Sequence, residues 1–166
     1  MHVAAWHETY RGIVPDAMLA SLSVERRAES WQRILGDPAK ANDTMVTLAE
    51  LGGEFVGFGA CGAQRTDDLV ADGYDGEIGS IYVLNAYQRR GVGKQLTYAM
   101  TQALLRRGYH GVALWVLRGN VRARGFYDWC QGRVVATRED VRGDTILVED
   151  AYAWPDLQSL NRKVRE

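Results

Sequence analysis

A short glycine-containing segment carries the clearest chemical signal in this chain. Two glycines let the backbone approach a ligand closely, and the first turn of a helix offers free N–H groups and the positive end of its dipole to an anion. Three basic side chains add positive charge at the same place. The segment therefore predicts a phosphate group held by backbone. It consists of Gln88, Arg89, Arg90, Gly91, Val92 and Gly93, and Lys94 follows it.

The flanking patterns place this segment at the entrance of a helix. Residues 78–84 are apolar and β-branched, which predicts a strand, and apolar residues recur at helical spacing over 92–104. Two other phosphate-binding loops do not fit. A Walker loop needs Ser or Thr where Gln95 stands, and a dinucleotide fingerprint needs a third glycine where Leu96 stands.

A second motif follows the next predicted strand, residues 112–117. Asn120 can cap a helix on which Ala123, Phe126 and Tyr127 share one face. Alone, this pattern favours a capped helix with aromatic core residues. Together and in this order, however, Gln-x-x-Gly-x-Gly and Asn-x-x-Ala-x-x-Phe-Tyr resemble the two motifs of the GNAT superfamily of acyl-CoA-dependent N-acyltransferases. Glu77, eleven residues ahead of the loop, matches a glutamate of that family.

The resemblance implies an α+β fold with a mixed, mostly antiparallel central sheet flanked by helices. It runs from Glu77 to Gly132, and residues 3–16 resemble the family's first helix and acceptor-side loop. We expect one GNAT domain over residues 1–166. Because the chain starts inside a helical pattern, the family's first strand is expected to be truncated or absent.

The resemblance also implies acetyl-CoA as co-substrate, with its pantetheine arm bonded to strand backbone like an added strand. Asn120 would support pantetheine or an ordered water, with helix capping as an equal alternative. The family's pattern assigns the cofactor to Ile81, Tyr82, Val83, Gln88, Arg89, Arg90, Gly91, Val92, Gly93, Lys94 and Asn120.

Acetyl transfer to an amine defines two catalytic roles. An alkylamine has a pKa near ~10.4, so a base must take its proton, and the resemblance assigns this to Glu77. Tyr127, whose phenol keeps its proton at neutral pH, would protonate the departing thiolate. A backbone N–H such as that of Val83 could polarise the thioester carbonyl. The structural alternatives are a solvated carboxylate at a strand end and a core tyrosine packed on Phe126.

Several functional questions stay open in the sequence. The leading prediction is an N-acetyltransferase acting on a small molecule or peptide. The alternatives are a non-catalytic CoA-binding regulatory module, an enzyme using another acyl-CoA, and a nucleotide-binding protein. The acceptor could be a small amine, an amino acid, an aminoglycoside-like drug or a protein N-terminus. Candidate acceptor-side residues are an acidic rim of Asp67, Asp68, Asp72 and Asp75 and an apolar wall of Trp6, Tyr10 and Met18.

Composition limits the partners. A net charge of -1 over 166 residues gives no support for binding nucleic acid. The sequence has no apolar run near ~20 residues and no signal-peptide pattern. It therefore predicts neither a membrane span nor export, and we expect a cytoplasmic protein. Cys61 and Cys130 fall in apolar segments as expected for free thiols, and the three scattered histidines predict no metal site.

A sheet without its first strand would expose an edge, which predicts a homodimer.

The remaining patterns predict the order of elements. A two-glycine hairpin at residues 52–53 separates the first two strands. Residues 64–76 form a polar segment that predicts a loop. Helices are expected near residues 3–12, 15–19 and 24–35, and strands at 45–50, 54–63, 77–84, 112–117, 134–139 and 145–152.

Overall fold

The computed structural model describes residues 1–37 and 41–166 and contains helices on both faces of one sheet. None of the described helices is long and apolar enough to cross a membrane. The helices are α1 His2–Tyr10, α2 Asp16–Ala20, α3 Val24–Gly36, α4 Asp67–Ala71, α5 Val92–Arg106, α6 Val121–Trp129 and α7 Leu157–Arg165, with a 3₁₀ turn at Asn85–Tyr87. The strands are β1 Met45–Leu51, β2 Glu54–Ala63, β3 Gly76–Val83, β4 Val112–Leu117, β5 Arg133–Arg142 and β6 Thr145–Trp154.

The six strands lie in the order β1-β2-β3-β4-β6-β5. Only β3 and β4 are parallel, and the other neighbours are antiparallel. The mixed, mostly antiparallel sheet predicted from the sequence is therefore confirmed. The predicted hairpin is also present, since Gly52 and Gly53 have φ of 62° and 85°, and two positive values favour the tight turn between β1 and β2.

The central feature of the sheet is the separation of β3 from β4. These strands pair only where they begin, at Gly76 with Val112 and at Glu77 with Ala113. On the other side of β3, Ile78 pairs with Cys61 but Ser80 pairs with Ala60. Gly79 is thus an extra, unpaired residue, a bulge that bends its strand. Beyond it the strands separate into a V-shaped gap, as the family resemblance implies.

The two faces of the sheet carry different layers. One face packs against α5 and α7 through fully buried aliphatic residues such as Met100, Leu104 and Leu157. The opposite face meets α1 and α3 through aromatic rings, for example His2 against Phe58 with centroids 4.7 Å apart. Burying both faces fixes the sheet between these helices, so the gap between β3 and β4 has rigid walls.

Two elements differ from the sequence expectation. The segment predicted as a loop contains α4, whose Leu69 is 1% exposed. This helix has one buried anchor, too few for apolar periodicity to show. Strand β5 is longer than predicted, reaching Arg142, because polar residues alternate along an exposed strand whose pairing with β6 supplies its stability. Its register shifts between Val134 and Ala136.

Candidate active site

Beyond the bulge, successive residues of β3 turn their backbone N–H and C=O groups alternately toward β2 and toward the gap. Leu84 N–H donates to the Val56 carbonyl at 3.0 Å, which sets the phase of pairing with β2. Since residues of an antiparallel pair alternate in direction, Tyr82 bonds to β2, whereas Ile81 and Val83 turn their N–H and C=O groups toward the gap. Of the three residues predicted to bond pantetheine, Ile81 and Val83 thus turn backbone groups toward the gap, and Tyr82 contributes a side chain on the α1 face.

The predicted phosphate loop has the conformation that an anion site needs. Gly91 has φ 83° and precedes α5, and Arg89 has φ 61°. The first helical bond runs from Gln95 N–H to the Gly91 carbonyl at 3.0 Å. The N–H groups of the intervening first turn therefore have no carbonyl four residues back and point out of the helix end. They belong to Val92, Gly93 and Lys94.

The basic side chains of this loop are available to a ligand. Arg89 and Arg90 are exposed, and the Arg90 guanidinium lies 5.8 Å from the centroid of the Tyr87 ring. Within residues 1–37 and 41–166, no carboxylate forms an ion pair with either arginine or with Lys94. An uncompensated positive charge beside free N–H groups favours a phosphate.

Gln88 has a structural task that the motif alone did not reveal. Its side-chain amide donates to the Val83 carbonyl at 2.9 Å, which ties the loop to the end of β3. Its Oε1 accepts from Arg122 Nη1 at 2.8 Å, and the same nitrogen donates to Asn85 Oδ1 at 2.9 Å. Arg122 thereby links α6 with the opposite side of the gap.

Asn120 acts as the cap of α6 in this structure. It is buried, and its Oδ1 accepts from Ala123 N–H at 3.2 Å. This is the capping role that the sequence offered beside pantetheine support. The cap fixes the start of α6 and hence the position of Tyr127 two turns further along the helix.

Tyr127 brings a free hydroxyl into a buried site. Its ring packs against Tyr152 and Trp154, with centroids 5.5 and 6.2 Å away. The hydroxyl forms no hydrogen bond with any described residue. Burial, with a smaller contribution from the nearby phenol of Tyr10, raises the pKa of Tyr127 well above its ordinary value. The group therefore keeps its proton over the pH range in which enzymes are assayed.

Two further phenols lie near Tyr127. The hydroxyls of Tyr10 and Tyr82 are hydrogen-bonded at 3.0 Å, and both residues interact electrostatically with Tyr127. Trp6 packs edge-on against Tyr10 with centroids 4.8 Å apart, and its buried indole N–H has no partner among the described residues. Helix α1, strand β3 and helix α6 thus bring three hydroxyls together from distant parts of the sequence.

Glu77 lies at the closed end of the gap and is held by Arg65. Arg65 donates from Nε to Oε2 at 2.8 Å and from Nη2 to Oε1 at 2.5 Å, and its backbone N–H reaches Oε2 at 3.2 Å. The Glu77 side chain is 7% exposed and that of Arg65 is 58% exposed. The hydrogen bonds to Glu77 also raise the pKa of the Arg65 guanidinium.

The predicted acidic rim has other tasks. Asp75 accepts from the backbone N–H groups of His110 and Gly111 at 2.9 and 3.0 Å. Asp67 and Asp68 lie in the first turn of α4, where carboxylates complement the helix dipole. Met18 packs in a small apolar cluster with Leu19 and others rather than on an open wall. In the described part of the chain no three potential metal-ligating side chains form a cluster.

Sequence reasoning missed Arg65, Gly79 and Arg122. A glycine inside a strand pattern is a recognised sign of a bulge, so Gly79 could have been found. Arg122 lies inside the second motif, but its position in that motif does not predict which residues it contacts. Arg65 offered no signal, because its pairing with Glu77 depends on the antiparallel return of the chain from β2 to β3.

Comparison with known proteins agrees with this geometry. The acetyltransferase (GNAT) family matches residues 5–132. The uncharacterised N-acetyltransferase YuaI of Bacillus subtilis is 30% identical over 160 residues, which cover 96% of this chain and 87% of that protein. An N-acetyltransferase of Archaeoglobus fulgidus is 37% identical over 82 residues, 49% of this chain and 55% of that one.

Solved structures share the fold. The PaiA N-acetyltransferase of Thermoplasma acidophilum in complex with coenzyme A superposes with a TM-score of 0.67 at 20% identity, covering 89% of this chain and 86% of that one. An N-acetyltransferase of Staphylococcus aureus gives a TM-score of 0.62 at 19% identity, with 82% and 78% covered. The family match over most of the chain, and a relative that spans nearly all of it, show that this protein belongs to the acetyltransferase (GNAT) family and is an acetyl-CoA-dependent N-acetyltransferase.

Proposed function

We propose that the protein transfers the acetyl group of acetyl-CoA to a primary amine of a small molecule or peptide in the gap between β3 and β4. The observation that carries this proposal is the free hydroxyl of Tyr127 beside a gap into which β3 turns the backbone groups of Ile81 and the N–H of Val83, whose carbonyl is bonded to Gln88. Thioester aminolysis requires backbone groups that bond an extended cofactor and a proton donor near the thioester.

The two ends of acetyl-CoA have separate binding features in this proposal. The diphosphate accepts hydrogen bonds from the free N–H groups of Val92 and Gly93, and the exposed side chains of Arg89 and Arg90 neutralise its charge. The pantetheine arm lies along β3 and bonds the backbone of Ile81 and Val83 as an added strand would. A relative of this fold was solved with coenzyme A, which supports the same cofactor here.

The chemical step follows from this arrangement. The neutral amine nitrogen attacks the thioester carbonyl carbon, and the carbonyl oxygen becomes an oxyanion that the Val83 N–H can stabilise. When the C–S bond breaks, the electron pair leaves with sulfur, and the Tyr127 hydroxyl donates its proton to it. The amine nitrogen loses a proton to solvent, and solvent restores the proton of Tyr127. The products are an amide and free CoA thiol.

Glu77 has two competing roles. As the base predicted from sequence, it would take the amine's proton. A proton on this carboxylate, however, would cancel one half of the ion pair and leave the Arg65 guanidinium without its counter-charge. The geometry therefore favours Glu77 as a residue that positions Arg65, with water as the proton acceptor.

A non-catalytic CoA-binding module is the alternative of another class. Such a module would need the cofactor loop but would place no constraint on the Tyr127 hydroxyl. Here a cap at Asn120 and ring contacts with Tyr152 fix a tyrosine whose hydroxyl has no structural partner. A hydroxyl held in place without a structural partner among the described residues is available to a substrate, which supports a catalytic role.

The first prediction concerns the cofactor loop. Gly93→Asp is expected to weaken acetyl-CoA binding at least about 100-fold in calorimetry, because it places a negative charge where the diphosphate would bind. A Cβ at Gly93 meets no atom within 4 Å, so the fold should survive. Gly36→Asp is a matched control, since a Cβ there also meets nothing within 4 Å at the end of α3. Unchanged affinity in a folded Gly93→Asp variant would contradict the loop assignment.

The second prediction separates Tyr127 from Glu77. Tyr127→Phe should lower kcat by about 10²–10⁴ through loss of the proton donor, by a factor that stays constant with pH. Constancy is expected because the raised pKa keeps Tyr127 protonated throughout the assay range. An acyl donor with a more acidic thiol should reduce the defect. Tyr98→Phe, on α5 and packed on the same core, is the control.

Glu77→Gln completes this test. If Glu77 positions Arg65, its defect should not recover as pH rises. A recovery at high pH, where free amine and hydroxide replace a lost base, would instead establish Glu77 as the base. Full activity of Tyr127→Phe at every pH would remove the proposed acid.

A homodimer is a further proposal, supported by the edge of the sheet. Strand β1 is one of the two edge strands, the other being β5, and Leu48 and Leu51 on β1 are 56% and 53% exposed. Exposed apolar edge strands favour pairing with another chain. We expect a dimeric mass in light scattering at tens of micromolar and a monomer for Leu48→Lys. A monomeric natural protein would remove the proposal. The cytoplasmic location also remains a prediction, with which two free buried cysteines agree.

A further inference from the structure

A small cavity of about 130 Å³ opens on the face of the sheet that α3 covers. It lies beside the bulge of β3, on the opposite face from α5 and the phosphate loop. This volume is enough for a small organic group. Its walls include Trp31, Ile34, Thr44, Arg65, Glu77 and Ser80.

The charge of this cavity comes from Arg65. Nε and Nη2 of its guanidinium are engaged with Glu77, while Nη1 forms no hydrogen bond with a described residue. A Cβ built at Gly79 would lie 3.5 Å from Nη2, which places the guanidinium over the bulge. Since Glu77 is 7% and Arg65 is 58% exposed, the charge that a ligand meets is positive.

The rest of the cavity does not neutralise this charge. Among its described lining residues Glu77 is the only carboxylate, and it lies beneath the guanidinium. Asp43 lies between two lining residues, Asn42 and Thr44, and its carboxylate is paired with Arg107. Trp31 and Ile34 supply an apolar wall, and the Ser80 hydroxyl forms no hydrogen bond with the described residues. The cavity thus combines one oriented cation with a free hydroxyl and an apolar side.

We infer that this cavity binds the carboxylate of the acceptor through Arg65, so that the acceptor is a small amine bearing a carboxylate, such as an amino acid. The inference rests on the proposed acetyl transfer. Glu77 is then a positioning residue that fixes the guanidinium by two parallel bonds and leaves its outer edge to the ligand. A planar guanidinium suits a carboxylate, which it can bind through two oxygens.

The distance to the gap limits where the reacting amine can lie on the acceptor. From Gly79 to Ile81 the strand advances about 6–7 Å at roughly 3.3 Å per residue. A carboxylate bound over Gly79 would therefore place next to the gap at Ile81 an amine that is about four carbons away, such as the side-chain amine of a basic amino acid. An acceptor without an anionic group would lack this anchor and would enter with a higher KM.

The test compares amino acids with their amides as acceptors, using release of CoA thiol. The amides keep the amine and the side chain and lose only the carboxylate charge. We expect the natural protein to favour the amino acids at least about tenfold in kcat/KM, and Arg65→Ala to lower kcat/KM for the amino acids by about 10- to 100-fold more than for the amides. Comparing each acceptor between proteins cancels differences in amine basicity. Arg65→Lys should retain part of the preference, because it keeps the charge without the planar fork.

Two further variants keep the result interpretable. Arg162→Ala removes an arginine that is 64% exposed and ion-paired with Asp156 on α7, away from the cavity, and should leave the preference unchanged. If Arg65→Ala is unstable because it leaves Glu77 buried without a partner, the Arg65→Ala, Glu77→Gln double variant removes both charges. An Arg65→Ala effect on kcat/KM that is equal for amino acids and for amides would overturn the carboxylate site and leave acetyl transfer standing. No thiol release with any amine would overturn the transfer and the site together.

Discussion

The bulge at Gly79 interrupts the sheet at the one place where two parallel strands meet. Upstream of it, β3 and β4 share two residue pairs, and downstream they share none. Backbone groups that a continuous sheet would satisfy internally are therefore turned toward the gap, where an extended ligand can bond them. The phosphate loop follows β3 and α6 follows β4, so both motifs stand at the edges of this gap. The catalytic and binding roles that we propose for them depend on the separation of the strands.

Two cationic sites lie on opposite sides of the sheet in this account. The loop before α5 offers free N–H groups and arginines that no carboxylate of the described residues pairs with, and it suits a highly charged diphosphate. Arg65, by contrast, is held by a buried carboxylate and presents one edge of a guanidinium. A chain with a net charge of -1 can hold both because each is local. On our proposal the substrates would approach the gap from different faces and meet beside Tyr127.

Much of the fold could be predicted from the sequence because its signals are local. Strands β2 and β4 have the predicted limits, since their apolar residues end at recognisable turns. The glycine turn at the start of α5 and the cap at Asn120 could likewise be predicted, because each involves residues that are neighbours in the chain. Helix α4 was missed because a single buried leucine marks it.

The parts that sequence could not show depend on contacts between distant segments. The hydroxyl pair of Tyr10 and Tyr82 joins residues 72 positions apart. The bond from Arg65 to Glu77 requires the register of β2 against β3, and it is the reason we propose that Glu77 positions Arg65 rather than acting as a base. A sequence motif can identify a carboxylate, but its ion-pair partner is known only from the fold.

The most direct measurement is amide hydrogen exchange of β3 with and without CoA, read residue by residue by NMR. If pantetheine adds to the open side of β3, the N–H groups of Ile81 and Val83 should exchange at least about tenfold more slowly in the complex. The N–H of Tyr82, already directed to β2, should change little and serves as an internal reference. Slower exchange confined to the phosphate loop, with Ile81 and Val83 unaffected at saturating CoA, would contradict the central claim that the gap between β3 and β4 receives the cofactor.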